Sequence, residues 1–129
     1  MTNSNTTTIA PFLTVKDAKM AVDFYVSAFG ANETSRYDIP NGKLTSKLSI
    51  EGALFYVADE EPEFGNLSPD SKSVTSIRII LETKNADVLF AKAIKLGATE
   101  ICPMTTEDDW RIGKLKDPFG HIWEVGYIL

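Results

Sequence analysis

The sequence predicts an α+β fold made from two copies of one βαβββ-like unit. Hydrophobic positions follow the order strand, helix, three strands, and near residue 74 that order starts again. The two copies also share residues. Asp17…Phe29-Gly30-Ala31-Asn32-Glu33 lines up with Asn85…Leu96-Gly97-Ala98-Thr99-Glu100, at an offset of 67 or 68 positions. A length of 129 residues is enough for one domain with one core.

Residues 1–8 are polar and read as a disordered arm. Ile9 to Val15 reads as a strand, with Pro11 suiting an irregular or edge entry. Asp17 is a candidate N-cap. Ala21, Val22, Phe24, Tyr25, Ala28 and Phe29 recur at helical spacing, and Gly30 sits where a left-handed residue ends a helix. Glu33 to Ile39 is a strand, and Pro40-Asn41-Gly42 is a hairpin turn. The next strand alternates Leu44, Ser46, Leu48 and Ile50 with polar partners. Glu51-Gly52 turns the chain into the strand Ala53 to Ala58.

Residues 59–73 hold five acidic residues, Pro62, Pro69 and Gly65, and read as a solvated linker between module one (9–58) and module two (74–129). The second copy runs from the strand Val74 to Glu82 into a helix opened by Asn85. That helix carries Ala86, Leu89, Phe90, Ala93 and Ile94 at helical spacing and ends at Gly97. Thr99 to Pro103, Trp110 to Lys116 and His121 to Ile128 are strands, with Asp117-Pro118-Phe119-Gly120 as a tight turn before the last.

Composition excludes several classes. Net charge is −5 without a Lys/Arg cluster, so neither nucleic acid nor an anionic membrane surface is an expected partner. No apolar run reaches the roughly 18 residues of a membrane span, and the N-terminus lacks a signal-peptide pattern. The single cysteine, Cys102, rules out an internal disulfide and fits a reducing compartment. The expected location is the cytoplasm.

Strand parity assigns faces, because side chains alternate sides with period 2. Leu13, Val15, Ala53, Phe55, Val57, Ile77, Ile79, Leu81, His121, Trp123 and Val125 share a mostly apolar side that should meet the helices. The opposite side carries Phe12, Leu54, Tyr56, Arg78, Ile80, Ile122 and Glu124. This mixture of aromatic, apolar and a few charged groups suits a ligand cleft.

The segments Leu13-Thr14-Val15-Lys16-Asp17, Phe24-Tyr25…Phe29-Gly30-Ala31, Gly97-Ala98 and Asp117-Pro118-Phe119-Gly120-His121-Ile122-Trp123-Glu124 make the chain resemble the vicinal oxygen chelate superfamily over about residues 9–127. This superfamily includes glyoxalase, bleomycin-resistance and extradiol-dioxygenase-like proteins. The resemblance implies two βαβββ modules forming a cupped mixed β-sheet, helices on its outer face, and a cleft often completed in a homodimer. It also implies metal ligands, usually His or Glu, on the first, fourth, fifth and eighth strands. Those positions here are Ala10, Tyr56, Arg78 and Glu124, so only Glu124 is a ligand type. A zinc or nickel site needs about three or four such donors. The chain has one histidine, and a guanidinium does not deprotonate. The expectation is no metal and no other cofactor.

The candidate ligand-binding residues are Phe12, Tyr56, Arg78, Trp110 and Glu124. Arg78 with Glu124 reads either as an ion pair on the cleft floor or as a bidentate anion holder oriented by the carboxylate. Tyr56 reads as a stacking wall or as core filler. Trp110 with Arg111 reads as a flap near the cleft mouth or as an exposed strand start. His121 reads as structural, bonding a backbone carbonyl, and Cys102 as inert. The functional expectation is metal-free binding of a small, possibly anionic, organic molecule by sequestration or carriage. The alternative is a metal-dependent lyase, isomerase or dioxygenase of the glyoxalase type. A third reading is a vestigial cleft on a protein that works through its dimer surface.

Overall fold

The computed structural model describes residues 7–70 and 76–129. The order is β1 (Phe12–Val15), α1 (Ala18–Phe29), β2 (Asn32–Ile39), β3 (Lys43–Ile50), β4 (Ala53–Asp59), β5 (Arg78–Glu82), α2 (Ala86–Lys95), β6 (Thr99–Glu107), β7 (Trp110–Lys116) and β8 (Ile122–Ile128). The strands form two mixed four-stranded sheets, β1-β4-β3-β2 and β5-β8-β7-β6, each built within one module. In both, the first and last strands pair in parallel. Phe12 faces Tyr56 and Ile80 faces Glu124, so each second-module residue lies 68 positions after its counterpart. The internal repeat therefore holds at the level of register.

The elements form for local reasons. Asp17 Oδ1 accepts from Met20 N–H at 3.1 Å and caps α1. Gly30 closes that helix at φ +67°, a conformation that penalises a side chain. The β3 alternation is complete, with Leu44, Ser46, Leu48 and Ile50 all buried. In β1 the pairing begins with a carbonyl: Tyr56 N–H donates to Pro11 O at 2.9 Å, which suits a residue with no N–H of its own.

Several boundaries differ from the sequence expectation. β1 starts at Phe12 and β5 at Arg78, while the expected strand start at Val74 and the arm residues 1–6 fall outside the described residues. β6 runs on to Glu107 through two bulges. Asn85 does not cap α2; its Nδ2 donates to Glu51 Oε2 at 2.9 Å, and Thr83 O receives the first helical N–H. The acidic segment is more than solvated surface. Asp59 ends β4, and its carboxylate accepts from Ala18 N–H (2.9 Å) and Leu44 N–H (2.8 Å). Glu60 accepts from both the N–H and the hydroxyl of Ser68.

The apolar sides of both sheets meet the helices in one core. Tyr25, Phe29, Phe55 and Trp123 interlock there, with Phe29 and Trp123 centroids 4.8 Å apart. Parity holds except at two strand ends, where Ala53 and Ile77 are exposed. At the centre lies Asp117, itself buried. Its Oδ2 accepts from Tyr25 O–H (2.5 Å) and Trp123 Nε1–H (2.9 Å), and its Oδ1 from the N–H groups of Phe119 (2.9 Å) and His121 (3.0 Å). Burial, then the charge and hydrogen bond of Asp117, push the Tyr25 phenol well above its ordinary range.

Candidate functional site

The side of each sheet away from the helices carries the residues of interest. On the first sheet, Phe12, Tyr56 and Lys47 occupy one cross-strand row. The rings of Phe12 and Tyr56 stack with centroids 5.5 Å apart and planes 12° from parallel. Lys47 Nζ lies 6.0 Å from the Tyr56 centroid, at the limit of a cation–π contact. Phe12 remains 56% exposed, so this aromatic pair forms a platform and not core.

On the second sheet the rows are Arg78–Ile122–Lys116 and Ile80–Glu124–Lys114. Arg78 Nε contacts Glu124 Oε2 as an ion pair. The Arg78 side chain is 57% exposed and that of Glu124 only 18%, so the carboxylate is sunk and the guanidinium rides above it. A surface pair of this kind adds little stability, because solvent screens it. Its outer edge is available to another acceptor.

The two platforms meet at a slot of about 260 Å³ lined by Pro11, Phe12, Ile77, Ile79, His121 and Ile122. His121 is a tie between the modules. Its Nε2 lies 2.9 Å from Thr14 O, and because a carbonyl only accepts, Nε2 carries the proton. This is the backbone-carbonyl role expected for it.

Phe12 and Tyr56 are thus brought together, as are Arg78 and Glu124; of these four only Phe12 lines the slot, where it meets Ile122, the row neighbour of Arg78. Trp110 shares the face of Glu124 but stands four residues along β7 from Lys114, about 13 Å away. Arg111 faces the other way and binds Asp87 Oδ1 through Nε and Nη2. Sequence reading passed over Lys47, Lys114 and Lys116. They were visible only as the polar half of an alternation, and their place beside Tyr56 and Glu124 depends on the register between strands.

A family model described as the glyoxalase/bleomycin resistance protein/dioxygenase superfamily matches residues 6–125. The chain belongs to this superfamily. It is 38% identical over 125 residues to uncharacterized protein Rv0887c of Mycobacterium tuberculosis, covering 92% of this chain and 72% of that one. The crystal structure of the Arabidopsis thaliana gene product At5g48480 superposes with a TM-score of 0.67 at 30% identity, covering 95% of this chain and 98% of that one. The fosfomycin resistance protein FosX of Listeria monocytogenes, solved with Mn(II) and a sulfate ion, superposes with a TM-score of 0.69 at 15% identity, covering 98% and 95%. At that identity the likeness speaks for the fold alone.

The donor set of the superfamily's metal position does not fit an ion here. Its members would be the methyl of Ala10, the phenol of Tyr56, the guanidinium of Arg78 and the carboxylate of Glu124. Among the described residues no group of three or more His, Cys, Asp or Glu side chains could hold one. A fixed cation at one ligand position also repels a dication.

Proposed function

We propose that this superfamily member binds a small organic anion, without a metal, in the region between its two platforms, and acts by sequestration or carriage. The observation that supports this best is the substitution at the ligand positions. The guanidinium of Arg78 stands where a metal donor would, held by the half-sunk Glu124 on the second sheet, while the stacked Phe12–Tyr56 pair stands on the first. An anion can meet the outer N–H groups of Arg78 in a charge-assisted contact while an apolar portion lies on the aromatic rings. The absence of a transmembrane helix among the described residues is compatible with a cytoplasmic setting, and a homodimer is part of the same proposal.

Two measurements test it. Elemental analysis after incubation with Ni²⁺, Zn²⁺, Mn²⁺ and Fe²⁺ should find no stoichiometric metal; a metal retained by wild type and lost in Glu124→Ala would refute the metal-free reading. Calorimetric screening of small organic anions should find binding that Arg78→Ala abolishes.

A further inference from the structure

Charge on the open face of the second sheet is polarised. At one end, Arg78, Lys114 and Lys116 surround a single carboxylate, Glu124. The other carboxylates of that face, Glu82 and Glu107, belong to rows farther along, beside Ile112 and Trp110. Three cations against one anion leave two positive charges in excess at the Arg78 end, in a chain whose overall charge is −5. Arg78 and Lys116 flank Ile122 in one row, and Lys114 flanks Glu124 in the next. Neighbouring strands lie about 4.8 Å apart, so these side chains can reach a common point above Ile122.

Among the described residues, only Arg78 of the three has an ion-pair partner. Lys114 and Lys116 are both half-buried. Lysine acts as a mobile point charge and arginine as a planar fork, a combination suited to a compact group with two negative charges.

We infer that the ligand carries a dianionic head group, held above Ile122 by Arg78, Lys114 and Lys116, with its apolar part directed toward Phe12 across the slot. This rests on the anion-binding reading above and narrows it from an anion to a dianion.

The test uses matched aromatic probes on the full chain at pH 8, by calorimetry: phenyl phosphate (a dianion, second pKa about 6), methyl phenyl phosphate (a monoanion) and isophthalate (two separated carboxylates). Phenyl phosphate should bind about tenfold or more tighter than methyl phenyl phosphate. Lys114→Met and Lys116→Met should each weaken phenyl phosphate more than methyl phenyl phosphate and so shrink that ratio, and Arg78→Met should weaken both. Isophthalate matching phenyl phosphate would make paired carboxylates a source of the two charges, and isophthalate binding no tighter than methyl phenyl phosphate would make it a phosphoryl group. Either result supports a dianion. Equal binding of monoester and diester, dependent on Arg78, overturns the dianion inference and keeps the anion-binding reading. No binding of any probe to wild type overturns both. Circular dichroism of each variant separates lost binding from lost folding.

Discussion

Replacing Asp117 with alanine should cost about 2–6 kcal/mol of folding stability. The carboxylate serves four donors, two of which, Tyr25 O–H and Trp123 Nε1–H, sit on side chains no more than 2% exposed. A buried donor left without a partner costs about 1–3 kcal/mol, and two donors give the range stated. The N–H groups of Phe119 and His121 lie in a half-buried turn, where water can replace part of what they lose. A domain of this kind has roughly 5–15 kcal/mol in all, so the variant should be strongly weakened and could unfold at room temperature.

The sharper test is the cycle with Tyr25→Phe. Alone, that change should cost about 1–2 kcal/mol, because it removes one charged hydrogen bond and leaves the carboxylate three partners. In the Asp117→Ala background it removes an orphaned hydroxyl, so it should cost nothing or restore about 1 kcal/mol. Urea unfolding followed by tryptophan fluorescence gives all four stabilities. Additive effects, or an Asp117→Ala variant within 1 kcal/mol of wild type, would refute the account.

Two further outcomes follow from close contacts. A Cβ on Gly126 would lie 2.2 Å from Arg111 O and 3.0 Å from Ile112 Cα, both backbone, so Gly126→Ala must push β7 from β8. It should cost about 3 kcal/mol or more, and a melting temperature within two or three degrees of wild type would refute that. The hydrogen bonds from the Ser68 hydroxyl and N–H hold the Glu60 carboxyl below the ordinary glutamate value. A depressed carboxyl stabilises the fold above its unfolded pKa of 4.5 and loses that contribution as pH falls through its folded value. Glu60→Gln should therefore flatten part of the acid limb of the stability profile below about pH 5, and identical acid limbs would count against the contact.

The faces of the strands were legible in the sequence because parity is a local property. Leu13, Val15, Phe55, Val57, Trp123 and Val125 needed only the alternation around them, and all are buried. Parity also put Phe12, Tyr56, Arg78 and Glu124 on one face, and an ion pair was one of two readings for Arg78 with Glu124; the stacking of Phe12 on Tyr56 depends on strand register, which no local pattern gives. Asp117 shows where that reasoning stopped. The Asp-Pro-Phe-Gly pattern identifies a turn, and the carboxylate does bond the turn's own N–H groups. Nothing local announces that a tyrosine 92 positions earlier delivers its hydroxyl to the same group. Asn85 misled for the opposite reason: its type and place suit a cap, yet Glu51, 34 positions away, offers a charged acceptor that its amide takes instead.

The confinement of each sheet to one module has a kinetic consequence. Parallel partners such as Phe12 with Tyr56, or Ile80 with Glu124, are separated by 44 positions, and the antiparallel ones by fewer. Chain closure over such spans is entropically mild. Each half can therefore zip up its own sheet before the other arrives, and the search that remains is a docking of two preformed surfaces through Tyr25, Phe29, Phe55 and Trp123. A mixed fold that defers its long-range contacts in this way should refold faster than its chain length alone suggests.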